Sequence, residues 1–165
     1  MIASIISRYT FTLLDTITVS GYEIEQDADY GGKSQIVLHR KPVAAEDDFI
    51  LLHDGGLVFQ GIIDKIENEH GQNAHTITAI EMQKLFDQEI ILSNYSLLST
   101  GIEDFIANQI TSNFIASDDS LLNIGYLTVT ANTHTPVAAK PENDRGVYNL
   151  CTYIGNALTN YGIFV

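Results

Sequence analysis

The chain carries one cysteine, Cys151, among 165 residues. That excludes an internal disulfide framework and any site built from several thiolates. It has no tryptophan and only three prolines, so proline-rich linkers and recognition tracts are absent. Basic residues are scarce: eight Lys and Arg stand against 21 Asp and Glu, for a formal charge of -13. Such a chain is repelled by the phosphates of a duplex and by anionic lipid headgroups, which disfavours direct nucleic-acid binding and membrane attachment. No apolar run approaches the ~20 residues that a membrane span requires. Met1–Ser7 is apolar but lacks the basic start of a secretory signal, and a strand-like pattern at Arg8–Asp15 follows it where a cleavage site would stand. A soluble protein of the reducing cytoplasm is expected. What is present, 45% hydrophobic and 18% charged residues, is the composition of a folded chain long enough to bury its own core.

Residues 1–92 read as strands separated by turns. Tyr9, Phe11 and Leu13 alternate with Arg8, Thr10 and Thr12, which predicts a half-buried strand with the apolar face inward. Ser34–Arg40 forms a second strand, closed by Pro42, which has no N–H to donate to a ladder. Phe49–His53 and Leu57–Ile66 are joined by Asp54-Gly55-Gly56, a strong hairpin signal because glycine accepts the positive φ of a primed turn. Gly61 interrupts the long run and marks a bulge or bend. After a turn at His70-Gly71-Gln72-Asn73, Ala74–Ile80 returns. A helical turn at Met82–Asp87 and a last strand at Glu89–Leu92 complete a meander that curls into a small barrel.

The period changes after the seam at Ser93–Ser99. Thr100 and Glu103 have the spacing of a capping box, and Ile102, Phe105, Ile106, Ile110 and Phe114 follow at helical spacing. Tyr126–Thr130 reads as a strand and Thr133–Arg145, with Pro136 and Pro141, as a loop. A second helix places Val147, Leu150, Cys151, Ile154 and Leu158 on one face, which makes Cys151 a packing residue, and Gly162 ends it. Ile163–Val165 begins another apolar strand, which either is received by a partner sheet or, as is favoured, continues in a longer polypeptide. No repeat is visible in the residues. The fold class is therefore α+β: a β-barrel domain over residues 1–92 and an α+β subdomain with two amphipathic helices over residues 93–165.

Reactive groups are not gathered. His39, His53, His70, His75 and His134 show no metal-ligand spacing among themselves or with Cys151. His53 and Asp54 are adjacent, so on a strand they point to opposite faces and cannot serve as base and orienting carboxylate. Asp27 and Asp29, Asp47 and Asp48, and Asp118 and Asp119 are carboxylate pairs in loops without the glycine and distal glutamate of an EF-hand, and they read as solvated turns, with weak cation binding as the other reading. Gly31-Gly32-Lys33-Ser34 lacks the glycine spacing of a phosphate loop and leads into a strand. Tyr22, Tyr30 and Tyr95 in loops could stack on sugars. No catalytic, cofactor or metal residue is expected, the chain is not expected to be an enzyme, and spacing alone identifies no oligomer interface.

Gly56–Ile66 (GLVFQGIIDKI) and His75–Leu92 (HTITAIEMQKLFDQEIIL) resemble the strand, glycine, strand and short-helix order of hub proteins in phage tail tips. Thr100–Ile110, Ser117–Asn123 and Gly146–Ile163 are similar to the segment that follows the first barrel in prophage tail proteins of Gram-positive bacteria. The resemblance covers nearly the whole chain. It extends to the hub of contractile baseplates and to the amino-terminal module of tail-associated lysins. It implies a virion structural protein, assembled in the bacterial cytoplasm as a homotrimer whose barrels line a ring. Its implied partners are the tail tube or distal tail proteins above and a spike or fibre below. Full hub proteins carry a second barrel, for which residues 1–165 have no room. The strand edges of the Leu57–Ile66 ribbon would meet neighbouring subunits, and an acidic wall would let DNA slide through the lumen. Two other readings are a carbohydrate- or surface-binding β module and the non-catalytic part of a tail-associated peptidoglycan hydrolase.

Overall fold

A computed structural model describes residues 1–25, 32–68, 74–92, 102–118, 124–130 and 146–152. The chain divides into two compact units, Met1–Leu85 and Phe86–Val165. In the first, six strands close a barrel: β1 (Ile2–Ile6), β2 (Leu13–Glu23), β3 (Lys33–Leu38), β4 (Phe49–His53), β5 (Leu57–Asn68) and β6 (His75–Glu81), in the order β1-β2-β3-β6-β5-β4. All six pairings are antiparallel. Period-2 alternation sends Ala3, Ile5, Ile17, Ile36, Leu38, Ile50, Leu52, Phe59, Ile63, Ile77 and Ala79 into one buried cluster. Each large aliphatic side chain there contributes roughly 1.5–3 kcal/mol to holding the barrel closed.

The strand-rich, barrel-forming class is as the alternation indicates, but the route of the chain differs in four places. The barrel is not one continuous meander: β4 pairs with β1, and β6 with β3. Of the strand expected at Arg8–Asp15, Arg8–Thr12 form a hairpin loop and Leu13–Asp15 open β2. Arg8–Thr10 turn, Phe11 has φ +51°, and Ser7 N donates to Thr12 O at 2.9 Å. Tyr9, Phe11 and Leu13 stand 69%, 51% and 63% exposed, because alternation alone does not say which face a core covers. The apolar opening instead supplies β1. Glu89–Leu92 (β7) does not complete the barrel; it pairs with Gly146–Asn149 (β8) in a separate two-stranded sheet. β5 carries two ladder irregularities, at Val58 against β4 and between Ile63 and Lys65 against β6, and neither falls at Gly61.

The barrel contains a repeat that the residues conceal. The β1–β2–β3 meander matches β4–β5–β6 in ladder register. Ile5 opposite Asp15 corresponds to Leu52 opposite Phe59, and both ladders slip at the next residue, between Ile5 and Ile6 and between Leu52 and His53. Val19 opposite Leu38 corresponds to Ile63 opposite Ala79, and both again slip there. The pairings across the halves obey the same rule. Ile2 opposite His53 maps onto Phe49 opposite Ile6, and Ser34 opposite Ala79 maps onto His75 opposite Leu38. The two halves are thus related by a two-fold equivalence of register.

In the second unit, α1 (Ile102–Ile110) runs into a π-helical turn at Thr111–Ile115, closed by Ala116 N donating to Thr111 O at 2.8 Å. Phe114 packs edge-on against Phe86 with ring centres 5.4 Å apart. Ile90, Ile110, Phe114, Ile124 and Leu150 are buried. Tyr126–Thr130, expected as a strand, is irregular after a turn in which Leu127 N donates to Ile124 O. The helix expected from Val147 starts only at Leu150, because Gly146–Asn149 is drawn into the ladder with β7 and the Asn149 side chain accepts from Thr152 N at 3.1 Å as a cap. Val147 is accordingly exposed, and Cys151 is half-buried. The continuation through Ile154, Leu158 and Gly162 lies outside the described residues, as do Thr100, the 133–145 loop and Ile163–Val165. Among the described residues no helix is long and apolar enough to cross a membrane.

Candidate functional site

The first candidates are the residues that could carry chemistry, and the fold does not bring them together. His53 lies on β4 between Ile2 of β1 and Leu57 of β5, while Asp54 begins the hairpin by donating its N–H to Gly56 O at 2.9 Å. His39 follows β3, and His75 opens β6 opposite Leu38 and Asn68. Among the described residues no group of three or more His, Cys, Asp or Glu could hold a metal ion. Lys33 and Ser34 enter β3 as separate features: Lys33 Nζ meets Asp64 at 2.9 Å, while the buried Ser34 hydroxyl bonds the Glu25 backbone. Asp27, Asp29, Tyr30, Gly31, His70, Tyr95, Asp119 and His134 lie outside the described residues. Tyr22, on β2, is 49% exposed.

Two carboxylates that spacing did not single out correctly are structural. Asp48, read as part of a solvated turn, is 5% exposed. Its oxygens accept from Arg8 N at 3.1 Å and Ala45 N at 2.8 Å, and its backbone carbonyl accepts from Ile63 N at 2.8 Å. It therefore ties the β1–β2 loop and the β3–β4 connection to β5. Asp47 beside it has φ +73° and faces Arg8 at 3.6 Å. The second carboxylate is Asp15. Arg40 holds it with two bonds of 2.6 and 2.8 Å, and Val43 N and Thr16 N also donate to it. The guanidinium bond, with the backbone donors behind it, outweighs desolvation and holds this carboxyl well below its ordinary 3.8, at about 2. No local motif signals a pair this far apart in the chain.

What the barrel presents outward is the remaining candidate. Closure pairs most of β5 on both sides, which removes the edge expected for the Leu57–Ile66 ribbon. One stretch escapes. β5 pairs with β4 from Leu57 but with β6 only from Gly61. Beside it lies a shallow groove of about 240 Å³, lined by Leu57–Gln60 and Glu81–Gln83. Two sets of apolar side chains stand in solvent: Tyr9, Phe11 and Leu13 around the β1–β2 loop, and Ile2, Leu57 and Val58 across β1 and β5. Phe11 leans edge-on against Phe49, with ring centres 6.3 Å apart, so its place is defined even though half its surface is open.

No family profile and no curated protein matches this chain. Among solved structures, the tail protein from Neisseria meningitidis MC58 is similar with a TM-score of 0.39 and 13% identity over 67% of this chain and 34% of that one. The chain therefore spans well under half of that tail protein's length.

Proposed function

We propose that this chain is a non-enzymatic structural component of a phage-like tail, in which its barrel contributes to a homotrimeric ring at the tail tip or baseplate that joins the tail tube to a spike or fibre. The observation that carries this reading is a closed barrel that displays exposed aromatic side chains on a short hairpin loop, with Phe11 held edge-on against Phe49. Exposed aromatic and aliphatic side chains at a fixed position are what a subunit contact uses. With strand edges mostly closed, the contact falls to the Tyr9–Leu13 loop. The acidic surface suits a lumen that DNA must pass without adhering, and the tail tube, spike and host cytoplasm are the surroundings this role implies.

Native mass measurement of the full chain tests the role. A trimer that dissociates in a Tyr9→Ser, Phe11→Ser double variant is the expected result. A monomer at the highest attainable concentration, with the same mass in the variant, would overturn it.

A further inference from the structure

The two-fold register exposes a difference between the halves of the barrel. On β2, the flank facing away from β1 is covered by the chain's own segment after β3. Arg40 grips Asp15 and reaches Thr16 O at 3.3 Å, and Val43 N donates to Asp15 at 2.9 Å. The register places Leu57, Phe59 and Gln60 where the first half has Leu13, Asp15 and Thr16, and the same offset, carried two residues past the end of the β2–β3 ladder at Leu38, sets Glu81 against Arg40. These counterparts line the open groove. The position of Asp15 is taken by Phe59, which is 5% exposed and packs in the core. The position of the cation is taken by a half-buried acid, Glu81, which has no ion-pair partner among the described residues. The segment after β6 turns into a short 3-10 helix, Met82–Phe86, that borders the groove in place of bonding along β5, so the counterpart of the strapped flank is left open.

We propose that this groove receives an extended segment of a partner polypeptide bearing an arginine, laid along Leu57–Gln60 as Arg40–Val43 lies along β2. The chemistry follows from what lines the groove. The Gln60 backbone carbonyl holds the register position of the Thr16 carbonyl, which in the first half accepts from a guanidinium. The Glu81 carboxylate adds the charge that makes a cationic fork the complement. An acidic segment would be repelled by Glu81 and by the overall charge of -13, and a purely apolar one would leave Glu81 unpaired. Leu57 and Val58, 53% and 41% exposed, offer apolar contact to a small side chain at the position Val43 takes in the strap. The free flank of β5 supplies main-chain groups for strand addition. The groove and its counterpart belong to the barrel alone, so this docking is independent of the ring.

The test uses the full, isotope-labelled chain and a synthetic peptide copying its own strap, His39–Ala44, as probe. Amide shifts confined to Leu57–Gln60 and Glu81–Gln83 are expected. Affinity should fall about five-fold in Glu81→Gln, as for loss of a partly exposed ion pair, and further in Val58→Arg, which puts a competing cation in the groove. A peptide with both basic residues replaced by glutamine should not bind. An unchanged spectrum, shifts at Asp15 in place of the groove, or equal affinity in Glu81→Gln would each overturn the assignment.

Discussion

Gly61→Ala tests the packing logic of the barrel most sharply. A Cβ at this position would lie 2.5 Å from the Ile80 carbonyl oxygen and 2.6 and 2.8 Å from the Phe59 ring. Ordinary contact begins near 3.4 Å, so strand and ring must both give by most of an ångström. The first half of the barrel shows what a side chain does there. Its counterpart is Ile17, and the β2–β3 ladder stops at Val19 and Leu38, whereas β5–β6 continues to Gly61 and Glu81. The missing side chain therefore lets β6 run on to the point where Glu81 borders the groove. Overpacking of this kind costs about 1–3 kcal/mol, and losing a ladder bond or two adds about 1 kcal/mol each. Relief of glycine's backbone entropy returns roughly 0.5–1 kcal/mol. A net loss of about 2–3 kcal/mol is expected. Hydrogen exchange at the Ile63 and Ile80 amides reads the barrel separately from the second unit, and protection should fall roughly 30- to 150-fold. Gly56→Ala, where a Cβ meets nothing within 4 Å, is the neutral control. A change within about two-fold for Gly61→Ala would refute the steric reasoning.

Other substitutions probe other joints. Asp48→Ala strands two backbone donors and should cost about 2–3 kcal/mol in chemical denaturation. Because the folded pKa of Asp15 is depressed to about 2, the stabilisation it provides is complete above about pH 4 and is lost as the pH falls from there towards 2. After allowance for the half-exposed Arg40 it amounts to roughly 1–2 kcal/mol. Asp15→Asn should flatten the acid limb of a stability–pH curve across that window, and an unchanged limb would dismiss the clamp. Gly55→Ala, at φ +73°, should cost about 1 kcal/mol by melting, from the left-handed backbone alone.

The β4–β5 hairpin was legible because Asp54-Gly55-Gly56 couples a turn chemistry to flanking apolar runs, and a local signal of that kind survives folding. The Tyr9–Leu13 alternation misled because the same period describes a strand with its face on the core and a loop with its face in water; the left-handed Phe11 carries no glycine to announce it. Closure of the barrel depends on β1 meeting β4 and β3 meeting β6, pairings with no local mark. The repeat stayed hidden because equivalent positions carry unlike residues: Asp15 and Ile17 stand in one half where Phe59 and Gly61 stand in the other. The Asp15–Arg40 clamp and the groove are consequences of that same exchange, so they too could be read only from the register.

Electron microscopy of tail particles from the strain that encodes this chain, with the chain carrying a density label, tests the assembly role most directly. Three copies arranged as a ring beneath the tail tube, meeting one another through the Tyr9–Leu13 loops, is the expected image. Particles whose tails lack the label, or that carry it as isolated copies away from the tube's end, would contradict the account.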